Sequence, residues 1–109
     1  MLPERIREFR AALKLVSTDV AARVTVQRLG HRISGTAATL GMPAVGDVGR
    51  HIERFALARP HWTPEDVRRV AGAVDAVETW SLAAVVGMGD DEALRNDPNV
   101  SALRAEVGA

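Results

Sequence analysis

The apolar positions of this 109-residue chain recur at helical spacing over four long stretches. Leu2, Ile6, Phe9, Leu13 and Val16 follow one another at steps of 4, 3, 4 and 3. At about 100° of turn per residue they share one face of a helix. This predicts a first helix from Pro3 to about Val16, since proline suits the first helical position, where its missing N–H would have no partner. Ala22, Val26, Leu29, Ile33, Ala37 and Leu40 form a second stripe and predict a helix reaching Leu40. Ser17, Thr18 and Asp19 offer side chains to cap its start. Gly41-Met42-Pro43 ends it, because glycine accepts a left-handed cap and proline cannot continue the hydrogen-bond ladder. A third helix follows from Pro43 to about Ala58, with Val45, Val48, Ile52 and Phe55 on one side. Arg59-Pro60-His61-Trp62 reads as a loop. Thr63-Pro64-Glu65-Asp66 then combines a cap, a first-position proline and first-turn acids. The fourth helix runs from Pro64 to about Val86, with Val67, Val70, Val74, Val77, Ser81 and Val85 inward and Trp80 at the flank. Gly87-Met88-Gly89 closes it. A short helix from about Val100 to Val107 is expected in the tail, whose packing the pattern does not reveal. No stretch alternates with period 2. The expected fold is all-α: an antiparallel up-down four-helix bundle over residues 3–87 with a short helical tail at 88–109, in a single domain.

Composition agrees with that class and narrows the function. Hydrophobic residues make up 47% of the chain, enough for a packed core. With two Phe, two Trp and no Tyr, that core is expected to be built from Val, Leu, Ile and Ala. Fourteen basic and fourteen acidic residues cancel, which argues against a general electrostatic grip on nucleic acid or membrane. The absence of cysteine excludes disulfide and thiol chemistry and fits a cytoplasmic protein. Met1-Leu2-Pro3-Glu4-Arg5 lacks the apolar core of a signal peptide, and the most apolar segment, Leu82 to Val86, is too short to cross a bilayer. No glycine-rich nucleotide loop is present, so binding ATP or self-phosphorylation is not expected. The three histidines show no metal-ligand spacing, and no metal site is expected.

The candidate chemistry lies on the outer face of the second helix. His31 falls almost opposite the apolar stripe, with Val24, Gln27, Arg28, Ser34, Gly35 and Ala38 around it and Arg32 next in sequence. Gly35, one turn away, costs a helix roughly 1 kcal/mol relative to alanine, so close approach by something is expected there. Neutral imidazole is a usable nucleophile near neutral pH, since its ordinary pKa is about 6.5. His31 stands 11 residues before Met42 and Glu53 stands 11 after it. In an antiparallel hairpin such residues lie at similar height, which brings Glu53 to His31. A carboxylate accepting the imidazole N–H fixes the tautomer and raises basicity at the other nitrogen. A solvated glutamate is the alternative. His51, at the edge of the third helix's stripe, reads as structural, and His61 as loop packing.

At these residues the chain resembles the histidine-containing phosphotransfer (HPt) domain of bacterial and fungal phosphorelays. The family pattern runs approximately H-x-L-K-G-S/A-A-x-x-L-G, then after three residues an aliphatic residue, and after six more L-E or L-Q. His31, Ile33, Gly35, Thr36, Ala37, Leu40 and Gly41 follow it, with Val45 and Ile52-Glu53 after. The resemblance implies a phosphorelay carrier. His31 would exchange a phosphoryl group with the aspartate of a response-regulator receiver domain, or of a hybrid histidine kinase. Glu53 would orient the imidazole, and Val24, Gln27, Arg28, Arg32, Ser34, Gly35 and Ala38 would form the docking surface. It further implies that the magnesium ion belongs to the receiver and that the carrier is a monomer. The chain departs from the family at Ser34, where the pattern has lysine. Arg28 and Arg32 are candidates to supply that charge, and Arg50, level with Ser34, is another. Two further classes stay open: a regulator that docks receivers or kinases without carrying phosphate, and the dimerising hairpin of a sensor kinase. The second lacks its usual acidic residue and proline after the histidine, where Arg32 and Ile33 stand.

Overall fold

The computed structural model describes residues 2–16 and 18–108. They form α1 (Leu2–Leu15), α2 (Val20–Thr39), α3 (Pro43–Ala58), α4 (Pro64–Val85), α5 (Asp91–Arg95) and α6 (Pro98–Val107), and no strand occurs among them. The helix limits follow from local capping. Asp19 caps α2 by accepting from the Ala21 N–H at 2.9 Å; of the other two candidates, Thr18 donates back to the Leu15 carbonyl and Ser17 lies outside the described residues. Gly41 takes φ +71° and turns the chain into Pro43 at the head of α3. Thr63 and Asp66 form a reciprocal capping box at α4: the Thr63 hydroxyl accepts from the Asp66 N–H at 3.1 Å, and the Asp66 carboxylate from the Thr63 N–H at 2.9 Å. Gly87, at φ +75°, ends that helix.

α2 packs along α3 across the Gly41–Met42 turn, α1 lies against α2 and α4, and α3 touches α4. Their apolar faces meet in one core whose largest fully buried side chains include Phe9, Leu29, Ile52 and Phe55. Trp62, in the loop before α4, closes its upper end edge-on to Phe55, with ring centroids 5.4 Å apart. Two residues of the expected stripes leave the core. Leu40 is exposed, because α2 ends at Thr39 and the cap turns Leu40 off the buried face. Val85 is exposed as well. Ile6 of α1 and Val77 of α4 line the same small cavity, and α1 begins only four residues before Ile6. The end of the 22-residue α4 therefore runs past its neighbour.

The tail packs back on the helices. α5 was not expected from the pattern. Its five residues follow an Asp90 cap, and of its two apolar side chains only Leu94 is buried, too few for a period to show. α6 starts at Pro98, two residues before the expected Val100, because Asp97 caps it by accepting from the Asn99 and Val100 N–H groups. Val100 and Leu103 enter the main core. Glu106 pairs with both Arg59 and Arg69, fastening α6 to the α3–α4 loop and to α4.

Candidate functional site

The site begins with two glycines. A Cβ at Gly30 would stand 2.7 Å from the Gly49 carbonyl oxygen and 2.9 Å from the Glu53 nitrogen. A Cβ at Gly49 would stand 2.8 Å from the Gly30 carbonyl oxygen. The backbones of α2 and α3 thus cross in contact at this pair, a separation only glycine allows. Close approach within the chain occurs here and not at Gly35, where an added Cβ would meet nothing. Sequence reasoning passed over Gly30 and Gly49. The available signal was a set of glycines, Gly30 before the turn with Gly46 and Gly49 after it, each inside an otherwise well-formed helix.

The crossing sets the height of its neighbours. His31 follows Gly30, and Glu53 lies one turn beyond Gly49. The imidazole Nδ1 donates to Glu53 Oε2 at 2.9 Å. The His31 side chain is 74% exposed and that of Glu53 only 20%. The carboxylate is therefore the anchored partner and the ring the presented one. With Nδ1 engaged, the lone pair of the neutral ring resides on Nε2, and among the described residues Nε2 has no hydrogen-bond partner.

Gln27, Arg28 and Arg32 join His31 and Glu53 around a shallow concavity of about 270 Å³. Arg28 and Arg32 are exposed and have no ion pair among the described residues, so both guanidinium groups are available to an anion. Val24 is half-buried, and Gly35 and Ala38 are exposed on the same outer face. Ser34 is half-buried, its main chain against Gly46 and Gly49. Arg50 is held by Asp47 on its own helix at 2.9 Å and lies outside that concavity.

The other histidines stand apart. His61 is exposed and does not pack; its neighbour Trp62 does. His51 is buried, with Nδ1 lacking a partner. Burial depresses its pKa, the positive Arg50, Arg104 and Arg54 add to the effect, and Asp47 opposes it. A histidine held neutral binds fewer protons folded than unfolded. Folding stability is therefore complete above the ordinary pKa of about 6.5 and declines as pH falls below it, levelling once the folded pKa is passed. Urea unfolding of the wild type between neutral and mildly acidic pH is expected to show this decline, and His51→Gln to flatten it.

Of the two exposed imidazoles, that of His31 is backed by a carboxylate and keeps Nε2 open to solvent, as a nucleophile requires. The chain belongs to the Hpt domain family: the family's model matches residues 1–80, from α1 into α4. The match extends well beyond the His31–Glu53 stretch that carries the motif and ends before α5 and α6. No curated protein and no solved structure matches the chain. Membership makes it a phosphotransfer carrier of two-component signalling, a class that works with receiver domains and kinases. No helix among the described residues is long and apolar enough to cross a membrane.

Proposed function

We propose that His31 accepts and donates the phosphoryl group, exchanging it with the aspartate of a response-regulator receiver domain or hybrid histidine kinase. The observation that carries this reading is the exposed imidazole whose Nδ1 is tied to Glu53. The Nε2 lone pair attacks the phosphorus of a receiver's phosphoaspartate. The N–P bond forms as the P–O bond breaks, and the bonding electrons leave on the aspartate carboxylate. The ring becomes positive during the transfer, and Glu53, facing the Nδ1 proton, stabilises that charge. Reversal returns the group to an aspartate. Magnesium would be supplied on the receiver and not on this chain, and Val24, Gln27, Arg28, Arg32, Ser34, Gly35 and Ala38 would form the docking face. In this reading α1–α4 are an antiparallel up-down bundle, and the protein acts as a cytoplasmic monomer without kinase activity of its own.

The test is incubation with a panel of phosphorylated receivers. Acid-labile, base-stable phosphate on the chain is expected; its absence across a broad panel would overturn the carrier reading. A second reading, a regulator that docks receivers without taking phosphate, is favoured by Ser34 standing where the family has lysine. Ser34→Lys separates the two. The long side chain can extend its charge to solvent beside His31. A nearby surface charge is worth about 0.5–1 kcal/mol, so transfer from a receiver should quicken by roughly two- to fivefold in a carrier. A phosphate-free regulator would remain unlabelled.

A further inference from the structure

We infer that the end of α4 is a second docking surface, shaped for a cationic amphipathic helix of a partner protein. Leu82, Val85 and Val86 lie at helical spacing along one side of the last turns of α4, exposed at 69%, 83% and 70%. Met88, just beyond the cap, is 73% exposed. Met88 also lines a groove of about 320 Å³ on the adjoining side of α4, together with Trp80, Ala83, Leu94, Asp90 and Asp97. Single exposed apolar residues are ordinary, but four within the seven residues 82–88 at one helix end, the last of them lining an open groove, mark a contact surface.

Charge selects the occupant. The 25 residues Val70–Leu94 contain five acids and no Lys, Arg or His, although the whole chain is neutral. Asp75 and Glu78 share Arg10. Asp90, Asp91 and Glu92 follow directly on the apolar turn and have no ion pair among the described residues. The last turn of α4 carries no basic residue, so the negative end of the helix dipole adds to the same field. Anionic lipid and nucleic acid are repelled from such a surface. A second copy docked by two-fold symmetry would set the acids against each other. A helix with apolar anchors at i, i+3 and i+4 and lysine or arginine along its flanks satisfies both features. The exposed apolar residues Leu82, Val85, Val86 and Met88 and the acids at 90–92 lie outside the residues matched to the family, which end at Trp80 in the groove wall. The surface sits on a helix whose backbone does not run against α2, and it shares no residue with the concavity around His31, so a partner here leaves His31 open to a receiver.

The experiment titrates isotope-labelled protein with a synthetic leucine–lysine amphipathic helical peptide. A scrambled peptide of the same composition and a leucine–glutamate counterpart serve as controls. Amide shifts are expected within Trp80–Leu94, and binding should weaken as salt rises. The double substitution Val85→Ser with Met88→Ser should weaken binding at least about tenfold, with melting and phosphate acceptance unchanged. Glu92→Lys should weaken it several-fold, and His31→Gln should leave it intact. Asp90 is left alone because it caps α5. Equal binding by either control peptide, shifts centred on α2, or unaltered affinity in the double variant would overturn the inference. So would concentration-dependent dimerisation of the free protein abolished by that variant, which would assign the surface to a second copy.

Discussion

His31→Gln is expected to abolish phosphoryl acceptance while leaving the fold and receiver docking nearly intact. Glutamine has no ring nitrogen, so no N–P bond can form at this position. Its amide is neutral and can still donate to Glu53, so the carboxylate is not stranded. The site is exposed and mid-helix, where substitutions change stability by no more than about 0.5 kcal/mol. Val24, Gln27, Gly35 and Ala38 remain to meet the receiver. The measurement compares wild type and variant for acid-labile phosphate, receiver affinity and thermal melting. Loss of phosphate with retained affinity supports the assignment. Retained phosphate would transfer the role elsewhere; His51 is closed off by burial, so the exposed His61 would be tested next.

The largest structural effect is expected at the glycine crossing. Gly30→Ala and Gly49→Ala each gain helix propensity of up to about 1 kcal/mol. Each also drives a methyl group to within 2.7–2.8 Å of a main-chain oxygen of the facing helix. No rotamer change relieves a contact with backbone, and overpacking typically costs about 1–3 kcal/mol, so the crossing must open. Both variants should be destabilised, by about 1–2 kcal/mol net, lowering the melting temperature by roughly 5–15 °C. The widened crossing should also loosen the His31–Glu53 bond and slow phosphate transfer. Gly35→Ala has open space around the new methyl and should instead gain about 0.5–1 kcal/mol. Opposite signs at Gly35 and at Gly30 or Gly49, measured by urea unfolding, are the expected result. The same sign at all three positions would remove the packing explanation.

The outcomes divide by the range of the interactions involved. Helix positions and type were legible because they depend on residues a few places apart: the 3.6-residue period, the prolines at the heads of α3 and α4, and the Thr63–Asp66 cap. His31 was legible too, since a position opposite a strong apolar stripe must face outward. Its height relative to Glu53 followed from equal distances to Met42. What the stripe did not determine was where each helix loses its partners. Leu40 and Val85 continue the apolar period and yet face solvent, because a cap ends α2 and α1 stops short of the end of α4.

The amino-acid sequence by itself determined an all-helical chain, most helix limits, and the motif around His31 through which it resembles its family. Those features rest on local hydrogen bonding and periodicity, whose partners are neighbours in the chain. Only the tertiary structure decided that Gly30 and Gly49 touch, that α5 and α6 complete the core, that His51 is buried without a partner for Nδ1, and that an acidic, apolar helix end stands free. Each of these depends on the rotation and overlap of helices distant in sequence, set by close packing across the whole core.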